Sequence, residues 1–413
     1  MPRSEPSRGT LSRRSSLALL ALGAGNVLPR VARAADKVNG PGVTDKEIRI
    51  GQTIPYSGPA SSLGTVGRAA AAYYKMVNDQ GGVNGRQIDF VSVDDGYSPP
   101  RTVEQVRRLV EQDGVLGMFG SLGTAQNLAV QRFLNERKVP QFFIFSGVAR
   151  FRDPRTAPWS MGGDLAFVNE TKAFARYIQS EVAEPRIAVL YQNDDFGKDH
   201  LTGLRAGLGS KAETAIVRTA SFEVTDATVD SQIIQLQSSG ANVLLTAGIP
   251  RFAAQAIHKM HEIGWQPLHV LGYPAASIPA TFKPAGLEAS VGIVTAEFVK
   301  QPGDPAWVSD PEMLAFLDFM KKYAPELDPN DKFSVFGYYH AAAVIRILGM
   351  CGDDLTRENV LNKMTHLDHM TVPMLLPGIT MSTTPEDYAA IKQMQLQRFD
   401  GTGWVKIGGV VLG

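Results

Sequence analysis

Cysteine is almost absent from this chain: one, Cys351, in 413 residues. No internal disulfide is possible, so burial of apolar surface must hold the fold together. Net charge is missing too, with 41 Lys plus Arg against 41 Asp plus Glu. That balance conceals two unlike parts. Residues 1–34 carry six Arg and one Glu, and the remainder has 35 basic and 40 acidic residues, a net of −5. Such a balance leaves no electrostatic footprint for nucleic acid. After residue 34 no stretch reads as long enough to span a bilayer. No Gly-x-Ser-x-Gly elbow occurs, since Ile144 and Val148 hold the glycine positions around Ser146. No phosphate loop occurs either, because the Gly-rich turns lack a following Lys-Ser/Thr. Low-complexity segments and solenoid-length repeats are likewise missing beyond the first 34 residues.

What is present begins with an N-terminus of export type. "SRRSS" precedes a mostly apolar run at 17–28, and "ARA-A" follows at 32–35. A basic start, a short apolar middle and small residues two apart describe a cleaved export signal, with the cut expected after Ala34. Arg13 and Arg14 resemble the twin-arginine motif; an arginine-rich general secretory signal is the alternative. No cysteine stands near the cut to carry a lipid anchor. The mature chain is expected to be exported and free in the periplasm. "GAGNVL" at 23–28 lies in this leader and is not read as a dinucleotide loop.

From Thr44 onward, apolar strands alternate with amphipathic helices. "EIRIGQTIPYSG" reads as strand and turn, and "GTVGRAAAAYYKMVNDQGG" as a helix ending at Gly81–Gly82, where a left-handed cap is easiest. "QIDFVSVDD", "VLGMFG" and "PQFFIFSG" are strands, with helices over "SPPRTVEQVRRLVEQDG" and "AQNLAVQRFLNERK". A second series starts near residue 164, with strands at "RIAVLYQ", "AIVRTASF", "NVLLTAG" and "PLHVLGY". Alternation of this kind with short loops means parallel sheets flanked by helices. Two series imply two doubly wound lobes, whose ligands sit beyond the carboxyl ends of the strands. The tail differs: "FSVFGYYHAAAVIRILGMCG" is a long apolar helix, "TRENVLNKM" a helix capped by Thr356, and "FDGTGWVKIG" a hairpin signal.

The residues that look chemical each have a plainer reading. His258 and His261, like His366 and His369, are three apart, a spacing that shares a helix face, but no third metal ligand stands at a readable distance. Cys351 follows an apolar helix and reads as structural. In "YQNDDFGKD" the pair Asp194–Asp195 falls between strand and helix, where a carboxylate caps free N–H groups. Asp94–Asp95 repeats the arrangement, which favours shared architecture over catalysis.

The stretches "GQTIPYSGPASSLG", "VNDQGGVNGRQIDFVSVDDGYSP", "GMFGSLGTAQNLAV", "KVPQFFIFSG" and "IAVLYQNDDFGKD" together resemble the type I periplasmic solute-binding proteins. Within them the resemblance is to the leucine/isoleucine/valine-binding branch, which serves ABC importers. It runs in order from about residue 44 to 413. It implies an α/β fold of two doubly wound parallel-sheet lobes joined by a three-crossing hinge. Lobe 1 would comprise 44–163 plus 296–377, and lobe 2 would comprise 164–295 plus 378–413. The resemblance implies a non-enzymatic, cofactor-free monomer that gives its ligand to a permease pair and cytoplasmic ATPases, with no nucleic acid and no membrane span.

Site residues carry over position by position. Ser57 belongs to the Ser-Gly-Pro turn, and Leu63 stands where relatives often have an aromatic lid. Thr124 would hold a ligand carboxylate with nearby backbone N–H groups, or simply cap its helix. Phe145, Ser146 and Gly147 supply backbone and hydroxyl contacts, and Phe196 covers the ligand or packs in the core. Ile249 replaces a family tyrosine, and Tyr97 and Gly123 replace a common disulfide. Amino-acid binders place an acid after "PLHVLG" to pair the ligand ammonium; here Tyr273 begins "YPAAS". Either another carboxylate such as Asp195 substitutes, or the ligand is an aromatic or other organic acid without an amine. Two further readings stay open: a sensing module for a membrane receptor, and a periplasmic hydrolase using Asp194 or Asp195.

Overall fold

The computed structural model describes residues 37–413, so the expected export signal at 1–34 falls outside the described residues. The first sheet contains β1 (Glu47–Ile54), β2 (Gln87–Asp94), β3 (Met118–Phe119), β4 (Gln141–Ile144) and β5 (Ser160–Gly162). All pair in parallel, in the order β2-β1-β3-β4-β5. The second sheet contains β6 (Ile187–Gln192), β7 (Ile216–Phe222), β8 (Val243–Ala247), β9 (Leu268–Leu271), β10 (Val294–Glu297), β11 (Gln393–Phe399) and β12 (Trp404–Leu412). Its order is β12-β11-β10-β9-β8-β6-β7. The strands β6 to β10 repeat the winding of the first sheet, and β11 and β12 extend it as the expected antiparallel hairpin. Every residue of β8 is buried, as parallel strands covered on both faces require.

Helices follow the strands: α1 (Gly64–Asp79), α2 (Pro99–Glu111) and α3 (Thr124–Glu136) in the first series, then α4 (Phe167–Glu181), α5 (Asp195–Leu208), α6 (Asp230–Gln237) and α7 (Pro250–Glu262). After β10 come α8 (Pro311–Tyr323), α9 (Lys332–Met350) and α10 (Arg357–Met364). The expected cap after α1 is present, with Gly81 at φ 103° and Gly82 at φ 75°. Thr356 caps α10 by accepting the Asn359 N–H.

After β10 the chain returns to the first series, because α9 packs along α1. Gly337 permits that approach: a Cβ there would stand 2.2 Å from the Val66 carbonyl oxygen. By length and composition α9 could cross a membrane, which corrects the expectation that no segment after residue 34 could. Of its apolar window, 78% is buried inside the fold. Where the chain passes between the two sheets, Leu165 bridges Ile391 and Val299 bridges Leu375. Ala296 and Glu297 still pair with Leu396 and Gln395 in the second sheet.

Two other expectations change. His366 and His369 lie beyond the end of α10, so they share no helix face. The acid pairs are also only partly equivalent. Asp194 caps α5 through the Gly197 N–H, whereas the N-cap of α2 is Ser98. Asp94 instead stitches the loop after β1. Burial acts to raise its carboxyl, but bonds from the Ser57 hydroxyl and the Gly96, Ser57 and Tyr56 N–H groups outweigh this and hold it at about 2.

Candidate functional site

The carboxyl ends of both sheets meet around a small cavity of ≈ 30 Å³. Twelve residues line it: Leu63, Tyr97, Leu122, Gly123, Thr124, Phe145, Ser146, Phe167, Phe196, Ile249, Tyr273 and Pro274. Seven of the nine residues expected from the sequence are among them. Each follows a strand end: Leu63 after β1, Thr124 after β3, Phe145 and Ser146 after β4, Phe196 after β6, Ile249 after β8 and Tyr273 after β9. Doubly wound sheets place their crevice there, where the winding direction reverses.

Ser57 and Gly147 do not line this cavity. Ser57 is exposed, and its hydroxyl donates to Asp94 at 2.5 Å. Gly147 is packed beneath the passage between the sheets, where a Cβ would lie 2.3 Å from the Leu165 carbonyl oxygen.

The wall from the first sheet carries the hydroxyl pair, Thr124 and Ser146, set among Leu63, Leu122 and Phe145. Gly123, the N-cap of α3, has φ 105°, and a Cβ there would collide with Gln126 Oε1 at 2.2 Å. A glycine cap offers no side-chain acceptor, so no side chain caps the opening turn of α3. The first N–H groups of a helix have no partner inside it, and they carry the positive end of its dipole. Beside them Thr124 Oγ1 and Ser146 Oγ are hydrogen-bonded at 2.7 Å, both buried.

The wall from the second sheet is aromatic. Phe167 and Phe196 pack edge to face with centroids 4.9 Å apart, and His200 stacks on Phe167 at 4.4 Å. Tyr273 is fixed from behind. Its N–H donates to Glu170 at 2.7 Å, and its carbonyl accepts Lys332 Nζ at 2.8 Å. Lys332 also pairs with Glu297 at 2.7 Å, with both groups buried. Glu170 Oε2 lies 3.2 Å from His200 Nε2, within ion-pair reach but off the hydrogen-bond axis. Burial pushes the Glu170 carboxyl and the Tyr273 phenol above their ordinary ranges.

Sequence reasoning left out Tyr97, Leu122, Gly123, Phe167 and Pro274 as lining residues. Four of them lie in or beside strand ends that the alternation marks. Phe167 follows β5, a three-residue strand with no readable period. Tyr97 and Gly123 also touch each other's space, since a Cβ on Gly123 would stand 3.1 Å from the Tyr97 ring.

A larger open cleft of ≈ 800 Å³ lies between Gly58, Ser61 and Ser62 on one side and Arg251, Ala254 and His258 on the other. The smaller cavity is the candidate site, because there the strand ends, the open helix terminus and the buried hydroxyls coincide. The acid pair of "YQNDDFGKD" stays out of it. Asp194 accepts the Gly197 N–H and the Gln192 amide, and Asp195 is exposed. Among the described residues no group of three His, Cys, Asp or Glu could hold a metal.

Residues 47–403 match the family described as "Periplasmic binding protein". The Leu/Ile/Val-binding protein homolog 7 of Brucella abortus is 23% identical over 316 residues, 73% of this chain and 77% of that protein. A branched chain amino acid ABC transporter from Thermus thermophilus, solved with bound valine, superposes with TM-score 0.80 at 16% identity, covering 90% of this chain and 98% of that one. A fatty acid ABC transporter substrate-binding protein from Thermomonospora curvata superposes with TM-score 0.73 at 21% identity, covering 91% and 95%. At these identities the structures establish a shared fold.

Proposed function

This chain belongs to the periplasmic binding protein family, and from that premise we propose that it is the substrate-binding component of an ABC importer. It takes a small carboxylate-bearing ligand, an amino acid or an organic acid, between the two sheets. It then passes the ligand to a membrane permease driven by cytoplasmic ATPases. One observation carries the reading: an uncapped helix N-terminus beside a buried Thr124–Ser146 hydroxyl pair faces an aromatic wall across a closed gap. That arrangement suits a carboxylate at one end and an apolar body at the other.

The two halves then act as lobes, 44–163 plus 296–377 and 164–295 plus 378–413, hinged where the chain passes between the sheets. Opening admits ligand, and bound ligand draws the equilibrium toward a closed form, its walls held further apart than around the ≈ 30 Å³ cavity, by touching both walls at once. Export removes residues 1–34 and leaves a periplasmic monomer. The chain binds without altering its ligand: of the two acids a hydrolase would use, Asp194 is tied to the N-terminus of α5 and Asp195 is exposed outside the cavity. The relatives named for valine and for a fatty acid both fit a carboxylate ligand.

A thermal-shift screen of amino acids, aromatic acids and aliphatic acids beside sugars and organic cations tests this. At least one carboxylate should raise the unfolding temperature in proportion to its occupancy. Stabilisation confined to sugars or cations would end the proposal.

A further inference from the structure

The cavity offers no counter-ion for a cation. None of its twelve lining residues is Asp, Glu, His, Lys or Arg. An ammonium closed into this space would need a carboxylate or several free oxygen acceptors, because a buried unpaired charge is strongly disfavoured.

The acids behind the walls are turned to other partners; the one unbonded oxygen among them, Glu170 Oε2, is buried 3.2 Å from His200 Nε2. Glu170 Oε1 accepts the Tyr273 N–H at 2.7 Å, Glu297 holds Lys332 at 2.7 Å, and Asp199 accepts the Ala149 N–H at 3.0 Å. Asp194 accepts the Gln192 amide at 2.6 Å, and Asp195 is exposed. Three of the lining carbonyls are engaged as well. That of Tyr273 accepts Lys332 Nζ, that of Gly123 accepts the Asn127 side-chain amide at 2.7 Å, and that of Phe145 accepts the Gly123 N–H. Donors are in better supply, since α3 opens without a side-chain cap and two hydroxyls stand beside it.

We propose that the ligand of this cavity is a monocarboxylate without an amine, its carboxylate on the Thr124–Ser146 wall and its apolar, preferably aromatic body against Phe167, Phe196 and Tyr273. The inference rests on the reading of the cavity as a carboxylate site, and narrows it to acids that bring no positive charge.

Matched pairs differing only in the amine test it by isothermal titration of the protein: 3-phenylpropanoate against phenylalanine, and 4-methylpentanoate against leucine. Each deaminated acid should bind about 100-fold tighter than its amino acid, a difference of about 2.7 kcal/mol. Amino acids that bind as well as or better than their partners overturn this inference and leave the carboxylate site standing. Silence from all four up to millimolar concentration overturns both. Tyr273→Glu, which adds an acid to the aromatic wall, should cut the preference at least about tenfold. An unchanged preference in a folded variant counts against the neutral wall, and if that variant does not fold the wild-type pairs decide.

Discussion

The two sheets share one winding, yet their ends differ in chemistry, and the helix that follows the third strand in each half shows it best. In the first half α3 opens at Gly123 and Thr124, with its N–H groups uncapped and a second hydroxyl alongside. In the second half α7 opens at Ile249 and Pro250. Proline removes one of the free N–H groups and the isoleucine side chain offers no hydroxyl, so this terminus is partly closed to an anion. The helix after the first strand of the second half is closed too, because Asp194 occupies the N-terminus of α5. Topology therefore decides where the strand ends meet. On the proposed function, the residues at the helix starts decide which end takes charge and which takes the apolar body.

The largest way to break the comparison is to cut the tie between the walls. Lys332 sits in α9, which packs on the first half, and reaches Glu297 in β10 and the Tyr273 carbonyl in the second. Lys332→Met leaves Glu297 buried and unpaired, which should cost about 3–5 kcal/mol in urea unfolding. Adding Glu297→Gln removes the stranded charge and should restore more than half of the loss. A single variant as stable as the parent would show that the pair contributes nothing to joining the halves.

A smaller effect belongs to the second sheet alone. His269 in β9 is buried, its Nε2 is 2.9 Å from the Thr246 hydroxyl, and burial lowers its pKa to about 3. The unfolded chain takes up a proton near pH 6.5 and the folded chain does not. The stability is thus present above pH 6.5 and is lost as pH falls below it. Between pH 7 and pH 5 the loss should be ~2 kcal/mol from this one group. His269→Gln should flatten that part of the pH profile, and an unflattened profile would place the acid sensitivity elsewhere.

Much of this was legible in the sequence, and what was not has definite causes. Strand and helix periods gave the alternation, and Pro, Gly and hydroxyl caps located most helix starts. Thr124, Ser146, Phe196 and Tyr273 were reachable because they stand directly after strands with a clear apolar run. Phe167 was not, because β5 has three residues and hands over to α4 through a passage with no period of its own. Ser57 fitted the turn, but the neighbouring Asp94 captures its hydroxyl. A single chain read linearly does not reveal that competition, since the two residues meet only once β1 and β2 pair in register, Ile54 beside Asp94. The buried set Glu170, His200, Glu297 and Lys332 was invisible for the same reason: its members come from four separate elements.

The smallest effect sharpens the contrast most directly, because it removes one oxygen from the polar wall. Thr124 and Ser146 share one hydrogen bond at 2.7 Å and Ser146 Oγ also accepts the Val148 N–H at 3.3 Å, so one O–H of the pair is left to donate to a carboxylate. Thr124→Ala deletes one partner, keeps α3 and its backbone N–H groups, and opens little space. A hydrogen bond to a charged group contributes about 1.5–3 kcal/mol, and with Ser146 and the backbone N–H groups still in place the loss should fall at the low end, about tenfold in affinity for the bound acid. Thr124→Ser keeps the hydroxyl and should recover most of it. The same truncation on the opposite wall, Ile249→Ala, removes apolar contact only, so it should weaken long or aromatic acids and spare short ones. If Thr124→Ala left affinity unchanged while Ile249→Ala weakened every acid equally, the division of labour between the walls would be the wrong way round.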